Sequence, residues 1–316
     1  MKKIIFVILL LISFLAFSCP KKNCPNAFKI YSPALFCDAC GCSANGGSMG
    51  FSSMLDNNFV GLRYLKQSYS SQDGIFNNSP WIDENFNTIQ AWTRIPISSK
   101  IQISGLIPYH FNERKRTDNT ETIAGLGDIT LIGLYSIYET KKDSTTFTHK
   151  LNAGVGIKIP TGKFDAANNL GTINQSFQLG TGSWDYQLVA EYVIKRNQLG
   201  VNSMLNYVLK TENNKKYQYG NQFNFTNTLF YLFETKNETK IAPQLGIAGE
   251  IYQSNKQHQV KLANTSGEIL FGKLGVEAGK DKFSVGVNAM LPVRQNLSNG
   301  KMEANYRWSI NLNYSL

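Results

Sequence analysis

The stretch from Gly125 to Lys210 decides the fold. It reads GLGDITLIGLYSIY at 125–138, LNAGVGIKIPTGKFD at 151–165, FQLGTGSWDYQLVAEYVIK at 177–195 and QLGVNSMLNYVLK at 198–210. In each piece apolar side chains alternate with small or polar ones, and this period of two indicates a strand with one apolar and one polar face. Strands of soluble domains usually end after about 5–6 residues. These runs continue further, and a tilted strand of about 9–11 residues is what crosses a bilayer.

The same alternation continues from position 59 to the C-terminus. The pattern predicts strands over Phe59–Ser68, Asn87–Ile97, Lys100–Phe111, Gly127–Glu139, Phe147–Pro160, Ser176–Ile194, Gln198–Lys210, Gln218–Glu234, Lys240–Gln253, Gly267–Gly279, Lys282–Pro292 and Glu303–Leu316. Connectors are mostly long after odd strands and short after even ones, which is typical of outer-membrane barrels. We therefore predict an all-β fold over residues 59–316: a transmembrane, antiparallel, up-and-down β-barrel of about 12 strands, within a range of roughly 10–14. Two of the long connectors are predicted at Tyr69–Glu84 and Val293–Met302.

The last strand shows the alternation most clearly. Tyr306, Trp308, Ile310, Leu312, Tyr314 and Leu316 face one way, and Arg307, Ser309, Asn311, Asn313 and Ser315 face the other. No strand edge can stay unpaired in hydrocarbon, so we expect this strand to pair with the first. A girdle of interfacial aromatic side chains is also predicted, formed by Trp92, Tyr109, Trp184, Tyr207, Tyr231, Trp308 and Tyr314.

The N-terminus carries an export signal. Met1-Lys2-Lys3 precedes the apolar run Ile4–Phe17, which is typical of a signal peptide over residues 1–18, cleaved before Cys19. Export and a barrel together predict the outer membrane of a Gram-negative-type cell envelope. The same bond could be cut as a lipoprotein signal, and Cys19 would then be acylated.

The chain is basic, with 32 Lys and Arg against 22 Asp and Glu. We interpret the excess as solvated loops and turns, with a lumen biased toward anionic solutes as the alternative. Nucleic acid is not predicted as a partner, because no basic helix or stacking pattern accompanies the charge.

Residues 19–58 form a predicted Cys-rich periplasmic segment. All five cysteines lie there, and Cys37, Cys40 and Cys42 have the spacing of metal ligands, with Cys24 able to complete a copper or zinc site. Disulfides are the favoured interpretation, because exported cysteines tend to be oxidised. An acylated Cys19 would leave four cysteines to pair.

Three motifs resemble the signatures of a known family. They are Gly125-Leu126-Gly127-Asp128-Ile129-Thr130-Leu131, Lys158-Ile159-Pro160-Thr161-Gly162, and Gly180-Thr181-Gly182-Ser183-Trp184-Asp185. Their order and spacing are similar to those of outer-membrane barrels known as transporters or phenol meta-degradation pathway proteins. The resemblance extends over roughly residues 59–316, and it implies a porin-like passage for small molecules, with apolar or aromatic ones as candidates. It implies no catalytic residues.

The motif residues also have a purely structural interpretation, which we favour over ligand contact. Pro160 lacks an N–H and would end a strand, and Thr161-Gly162 would form a turn. Gly180 and Gly182 would permit a bend, and Trp184 would anchor at the interface.

The sequence thus favours an outer-membrane channel whose partners are membrane lipid and small-molecule solutes. An enzyme is not predicted, because His110, His149 and His258 are the only histidines and none lies in a nucleophile motif. One alternative is a metal-associated envelope barrel that presents its Cys-rich segment to a periplasmic partner. The other is a secreted β-sandwich binding module.

Overall fold

The computed structural model describes residues 47–72, 79–116, 119–140, 147–165 and 177–316, most of which are β-strand. Twelve long strands are β1 (Phe59–Gln72), β2 (Trp81–Pro96), β3 (Ile101–Lys115), β4 (Ile129–Glu139), β5 (Thr148–Ile159), β6 (Asp185–Arg196), β7 (Leu199–Lys210), β8 (Gln222–Tyr231), β9 (Lys240–Tyr252), β10 (Gly267–Lys280), β11 (Phe283–Leu297) and β12 (Met302–Ser315). Within the described ranges, no helix has the length and apolar character needed to cross a membrane.

The twelve strands form a closed ring. Each pairs antiparallel with its neighbour in the chain, and β12 returns to pair with β1, from Phe59 opposite Ser315 to Ser71 opposite Met302. Closure leaves no edge strand to expose unpaired backbone groups to lipid. The predicted all-β barrel of about twelve strands is confirmed, and the β-sandwich alternative is wrong because a sandwich leaves its two sheets unjoined.

Side chains alternate between the outside and the lumen as the period of two predicts. On β12, Ile310 is 43% exposed and Leu312 is 48% exposed on the outer surface, whereas Arg307 and Asn313 are buried inside the ring. Ile89 and Ile95 on β2 also face outward, and Gln90 and Arg94 between them face inward. The apolar outer surface is the one that a bilayer requires.

Trp92 is a correction to the predicted aromatic girdle. Its side chain is buried in the lumen, where its ring packs 4.5 Å from that of Phe59 and under the guanidinium of Arg63. The same period of two that places Ala91 and Thr93 outside places Trp92 inside. Trp184 and Tyr314, by contrast, lie exposed on the outer surface.

The two ends of the barrel differ. Phe59, Leu316 and the short connectors lie at one end, which we call the turn end. Two-residue turns there begin at Asn197 and Asp281, whose φ values of 52° and 53° lie in the left-handed region that Asn and Asp tolerate. The opposite end, the loop end, carries the connectors 116–128, 160–184, 211–221 and 253–266.

Two predicted loop-end connectors are wrong. β1 and β2 remain paired as far as Gln72 opposite Trp81, so half of the predicted connector Tyr69–Glu84 belongs to the two strands. β11 likewise continues to Leu297 rather than ending at Pro292, which leaves only residues 298–301 of the predicted connector Val293–Met302 between it and β12. The hydrogen-bond ladder extends beyond the region with the clear apolar and polar alternation, so strand pairing persists where that sequence signal is lost.

The larger of the remaining boundary differences also lie at the loop end. β6 begins at Asp185, and residues 177–184, predicted as strand, are irregular. β8 begins at Gln222, while Tyr217–Gln218 pairs instead with Lys256–Gln257 in a small separate sheet. Thr120–Leu126 extends the hairpin by pairing with β3.

Candidate functional site

Residues 47–56, which we call the luminal segment, lie inside the barrel. They were predicted to belong to a periplasmic segment, but they form hydrogen bonds with inward-facing side chains of seven strands. Residues 19–46 and the signal peptide lie outside the described residues, so the prediction stands unchanged for them. The lumen is therefore occupied by the chain's own N-terminal part.

Near the turn end, the luminal segment is held by the carboxylate of Glu277 on β10. The backbone N–H of Met54 donates to Glu277 Oε2 over 2.8 Å, and the hydroxyl of Ser53 donates to Oε1. Asp56 accepts a hydrogen bond of 2.7 Å from Ser284 on β11. These contacts fix the segment where it turns toward β1.

In the middle of the segment, arginines and a glutamate of the wall bind it. Arg94 on β2 donates to the backbone oxygen of Phe51 over 3.3 Å and to the hydroxyl of Ser52 over 3.2 Å. Arg63 on β1 donates to the Gly50 oxygen over 2.8 Å. The Ser52 hydroxyl also donates to Glu191 on β6, so the segment lies between opposite walls of the barrel.

At the inner end of the segment, Ser48 binds Glu250 on β9. Its backbone N–H and its hydroxyl donate to Glu250 Oε1 over 2.8 and 2.9 Å, and its carbonyl oxygen accepts from Thr226 on β8. Glu250 is itself held by both terminal nitrogens of Arg307 on β12, at 2.6 and 2.9 Å. This fork is fully buried.

Two of the charges that hold the luminal segment, Arg94 and Glu250, have ion-pair partners in the wall itself. Arg94 lies 3.0 Å from Glu191, and Arg307 forms the bidentate pair with Glu250. Departure of the segment would remove hydrogen bonds but leave both ion pairs intact. An uncompensated buried charge is far more costly than a lost hydrogen bond, so these two sites of the wall tolerate departure of the segment.

The three sequence motifs meet in one buried group of side chains, which we call the motif cluster: Asp128, Lys158, Thr181 and Asp185. The ammonium of Lys158 lies 2.8 Å from Asp128 Oδ2 and 2.8 Å from Asp185 Oδ2. The Thr181 N–H donates to Asp128 over 2.9 Å, and Lys210 adds a second cation 3.6 Å from Asp185. Two carboxylates and two ammonium groups therefore balance each other at the loop end.

Glycines let two motif backbones touch beside this cluster. A Cβ on Gly162 would lie 2.8 Å from both the nitrogen and the Cα of Gly180, and one on Gly180 would lie 2.7 Å from the Gly162 oxygen. Both distances are below what real Cβ atoms show. The absence of a side chain at both positions permits this close approach, and the Gly162 N–H donates to Asp128 Oδ1 over 3.0 Å.

The other motif residues support the same turn geometry. Pro160 follows the end of β5, and the Thr161 hydroxyl donates to the Gly127 oxygen over 2.7 Å while accepting from the Ile129 N–H over 3.0 Å. Gly125 and Gly182 have φ of 154° and 67°, and Trp184 lies on the outer surface. The described contacts of these residues are thus with the protein itself.

A cavity of about 60 Å³ lies between the luminal segment and the motif cluster. Gly47, Gly50 and Phe51 form one side of it, and the motif cluster forms another. Three further lining residues have a buried polar atom without a hydrogen-bond partner in the described part of the chain: His110 Nε2, Thr130 Oγ1 and Asn206 Oδ1. A space of this size and polarity suits a few water molecules.

The lumen also contains apolar side chains in two groups. The loop-end cluster comprises Met49, Leu65, Tyr69, Phe86, Phe177, Ala248, Tyr252, Ile269, Phe271, Met290, Leu297, Met302 and Ala304. The turn-end cluster comprises Phe51, Phe59, Trp92, Leu106, Ile132, Leu134, Val189 and Met204. Most of these residues lie at inward-facing positions of the strands. In water-filled pores, such positions carry polar side chains instead.

The cysteines lie outside the described residues, so a copper or zinc site at Cys37, Cys40, Cys42 and Cys24, disulfides among them, and acylation of Cys19 stay predictions. Among the residues that the structure does describe, no group of three or more His, Cys, Asp or Glu is placed to hold a metal ion.

Sequence reasoning missed the luminal segment and its anchoring ion pairs. A signal for the ion pairs was present, because Glu191, Glu250 and Glu277 occupy inward positions of predicted strands, and acids at membrane depth need partners. Which base pairs with which acid depends on strand order around the ring. The luminal segment itself has no periodicity that would have revealed its place.

Comparison with solved structures places the fold among outer-membrane barrels. An outer membrane channel from Pseudomonas putida F1 matches with a TM-score of 0.63 at 14% identity, covering 84% of this chain and 97% of that one. The β-domain of the Bordetella autotransporter BrkA has a TM-score of 0.47 at 10% identity, with 83% and 100% covered. The TodX monoaromatic hydrocarbon channel has a TM-score of 0.40 at 7% identity, with 90% and 96% covered. Only the first is similar enough to support the shared fold.

No curated protein matches this chain significantly. A family model does match, over residues 81–312, and the family is described as "Putative MetA-pathway of phenol degradation". The matched region includes ten of the twelve strands whole, most of β12, and all three motifs. The chain therefore belongs to this family, and it is a twelve-stranded β-barrel of the outer membrane.

Proposed function

We propose that the protein is a channel for small apolar or aromatic molecules, and that it is not an enzyme. The turn end, with both barrel termini, would face the periplasm, and the loop end would face outward, as in other outer-membrane barrels. The observation that carries the proposal is the presence of two apolar clusters among the polar side chains inside the barrel. Lipid accounts for apolar side chains on the outer surface, but it does not account for those inside.

The loop-end cluster provides the first part of the path. Leu65, Phe86, Phe271 and Met290 are buried inward-facing residues of four strands, and each is less than 3% exposed. A pore for sugars or ions would have to strip water from its solutes against such walls, which is costly. An apolar solute gains about 25 cal/mol for each Å² of apolar surface that leaves water, so the same walls favour it.

The luminal segment closes this path in the present conformation. The 60 Å³ cavity beside it is well below the roughly 150 Å³ cavity that holds a benzene molecule. Passage of an aromatic solute therefore requires the luminal segment to move. The ion pairs Arg94–Glu191 and Arg307–Glu250 within the wall make such movement feasible, because they persist without the segment.

The proposal is tested by uptake in intact Gram-negative cells, where the lipopolysaccharide leaflet hinders apolar molecules. Cells that produce the protein and cells with the empty vector receive a radiolabelled one-ring aromatic compound at low concentration, or a labelled monosaccharide. We expect faster uptake of the aromatic compound with the protein and no change for the monosaccharide. Equal aromatic uptake in both strains would contradict channel function, and equal acceleration of the sugar would indicate an unselective pore instead.

A further inference from the structure

Phe51 holds a special position in the luminal segment. Its ring is buried in the turn-end cluster, whose other members include Leu106, Ile132, Val189 and Met204 from four different strands of the wall. The guanidinium carbon of Arg94 lies 5.7 Å from the ring centroid, within the range of a cation–π contact. A side chain of the N-terminal segment thus fills an aromatic-sized site that the barrel wall forms.

We infer that the place of the Phe51 ring is a binding subsite for one aromatic ring of the transported solute, and that Phe51 occupies it while the channel is closed. The inference rests on the proposed function, because it names where and how the solute would bind. The site needs no rearrangement of the wall: its apolar side chains and the Arg94 cation already surround a six-membered ring.

Arg94, the charged wall residue beside Phe51, has an ion pair that does not involve Phe51. Arg94 donates to the Phe51 oxygen over 3.3 Å, but its ion pair with Glu191, at 3.0 Å, is made by two strands. When a solute ring replaces the Phe51 ring, the luminal segment loses hydrogen bonds to the wall. The solute ring then makes the apolar contacts that the Phe51 ring made before. The two rings compete for one space.

The cavity beside the Phe51 site indicates which substituents the ring of a bound solute can carry. Phe51 borders the 60 Å³ cavity, and so do His110, Thr130 and Asn206, each with a buried polar atom lacking a partner in the described part of the chain. The nearby charges of the motif cluster are already paired with one another. A neutral substituent that donates or accepts a hydrogen bond fits this cavity, and a charged one does not.

Truncation of Phe51 tests the subsite directly. Phe51→Ala in the full-length protein removes a benzene-sized volume from a wall of several strands, which can collapse only in part. We expect a lower melting temperature in detergent, and a rise of several degrees when toluene is added, because a ligand that binds only the folded state stabilises it. Wild-type protein should respond much less, since its own ring fills the site.

The matched control is Phe283→Ala, which removes the same ring from the outer surface, where Phe283 is 59% exposed. This control accounts for effects of toluene on the detergent. An equal toluene response of both variants, or no response of Phe51→Ala, overturns the subsite. Phe51→Leu leaves a smaller hole and serves if the alanine variant does not fold; its toluene response should exceed that of Phe283→Ala.

Uptake separates the subsite from the proposed function. If both hold, Phe51→Ala should raise aromatic uptake at low concentration by a few-fold, because the competing ring is gone. If Phe51→Ala binds toluene but neither this variant nor the wild type accelerates aromatic uptake, the subsite stands and the channel is refuted. Uptake by both forms at one rate, without toluene binding, would leave the channel and refute the subsite.

Discussion

The ammonium nitrogen of Lys158 lies 2.8 Å from Asp128 Oδ2, although 30 residues separate the two along the chain. Asp128 ends the first motif's loop before β4, and Lys158 lies near the end of β5. The same nitrogen is 2.8 Å from Asp185, the first residue of β6. One cation therefore joins the ends of three consecutive strands at the loop end of the barrel.

Lys158→Met should destabilise the barrel by about 3–5 kcal/mol, because it removes the buried cation that Asp128 and Asp185 share and leaves only Lys210 beside Asp185. Urea unfolding in lipid vesicles measures the change. Lys280→Met, in an exposed position next to the β10–β11 turn, should stay within about 0.5 kcal/mol of wild type. Equal stability of the two variants would show that the motif cluster contributes nothing to folding.

Gly180→Ala should also destabilise the protein, by about 1–3 kcal/mol, because the added Cβ would force the Gly162 and Gly180 backbones apart. The matched control is Gly133→Ala on the outer surface, where the nearest atom to a Cβ, the Val155 oxygen, lies at 3.9 Å. Heat-modifiable mobility on unboiled gels, followed over temperature, ranks the two variants. The prediction is contradicted if Gly133→Ala loses its folded form at a lower temperature than Gly180→Ala.

Replacing residues 47–56 with a polyglycine linker of the same length should open the lumen. The linker keeps the chain connection to β1 but removes the side chains that bind Glu277, Arg94 and Glu250. We expect single-channel conductance in planar bilayers to rise several-fold, because the lumen loses its contents while the ring of strands is untouched. Unchanged conductance would show that the luminal segment does not limit the pore.

Leu205→Arg tests the lipid-facing surface. Leu205 faces outward near the middle of β7, and an arginine at the bilayer midplane costs about 2–4 kcal/mol. Leu199→Arg makes the same change at the first residue of β7, near the interface, where the cost falls to roughly 0–1 kcal/mol. Folding titrations into vesicles measure both, and similar costs at the two positions would contradict the proposed depth of β7.

The state of the cysteines can be read by alkylation and mass spectrometry. If Cys24, Cys37, Cys40 and Cys42 form two disulfides, the unreduced protein should take up at most one alkyl group, at Cys19. Reduction should then expose four more thiols. Uptake of several groups without reduction would refute the disulfides, and zinc or copper titration of that thiol form would test the metal site.

The period of two made the barrel predictable. It placed Ile310 and Leu312 in lipid and Arg307 in the lumen, because successive side chains of a strand point to opposite faces regardless of what surrounds them. Trp92 was predicted to belong to the interfacial girdle because it lies toward the end of a strand. The alternation itself places its side chain in the lumen. The same local pattern could not give the ends of β1, β2 and β11, where pairing outlasts the alternation.

By itself, then, the sequence determined the strands, their faces and, by the long and short connectors, the closure of about twelve of them into a barrel. Only the tertiary structure decided what the lumen contains. Ser48, Phe51 and Ser52 find their partners on β9, β2 and β6, which lie far away in the chain and meet only when the ring closes. Periodicity reports the environment of one strand at a time, whereas the contents of a lumen depend on all strands together.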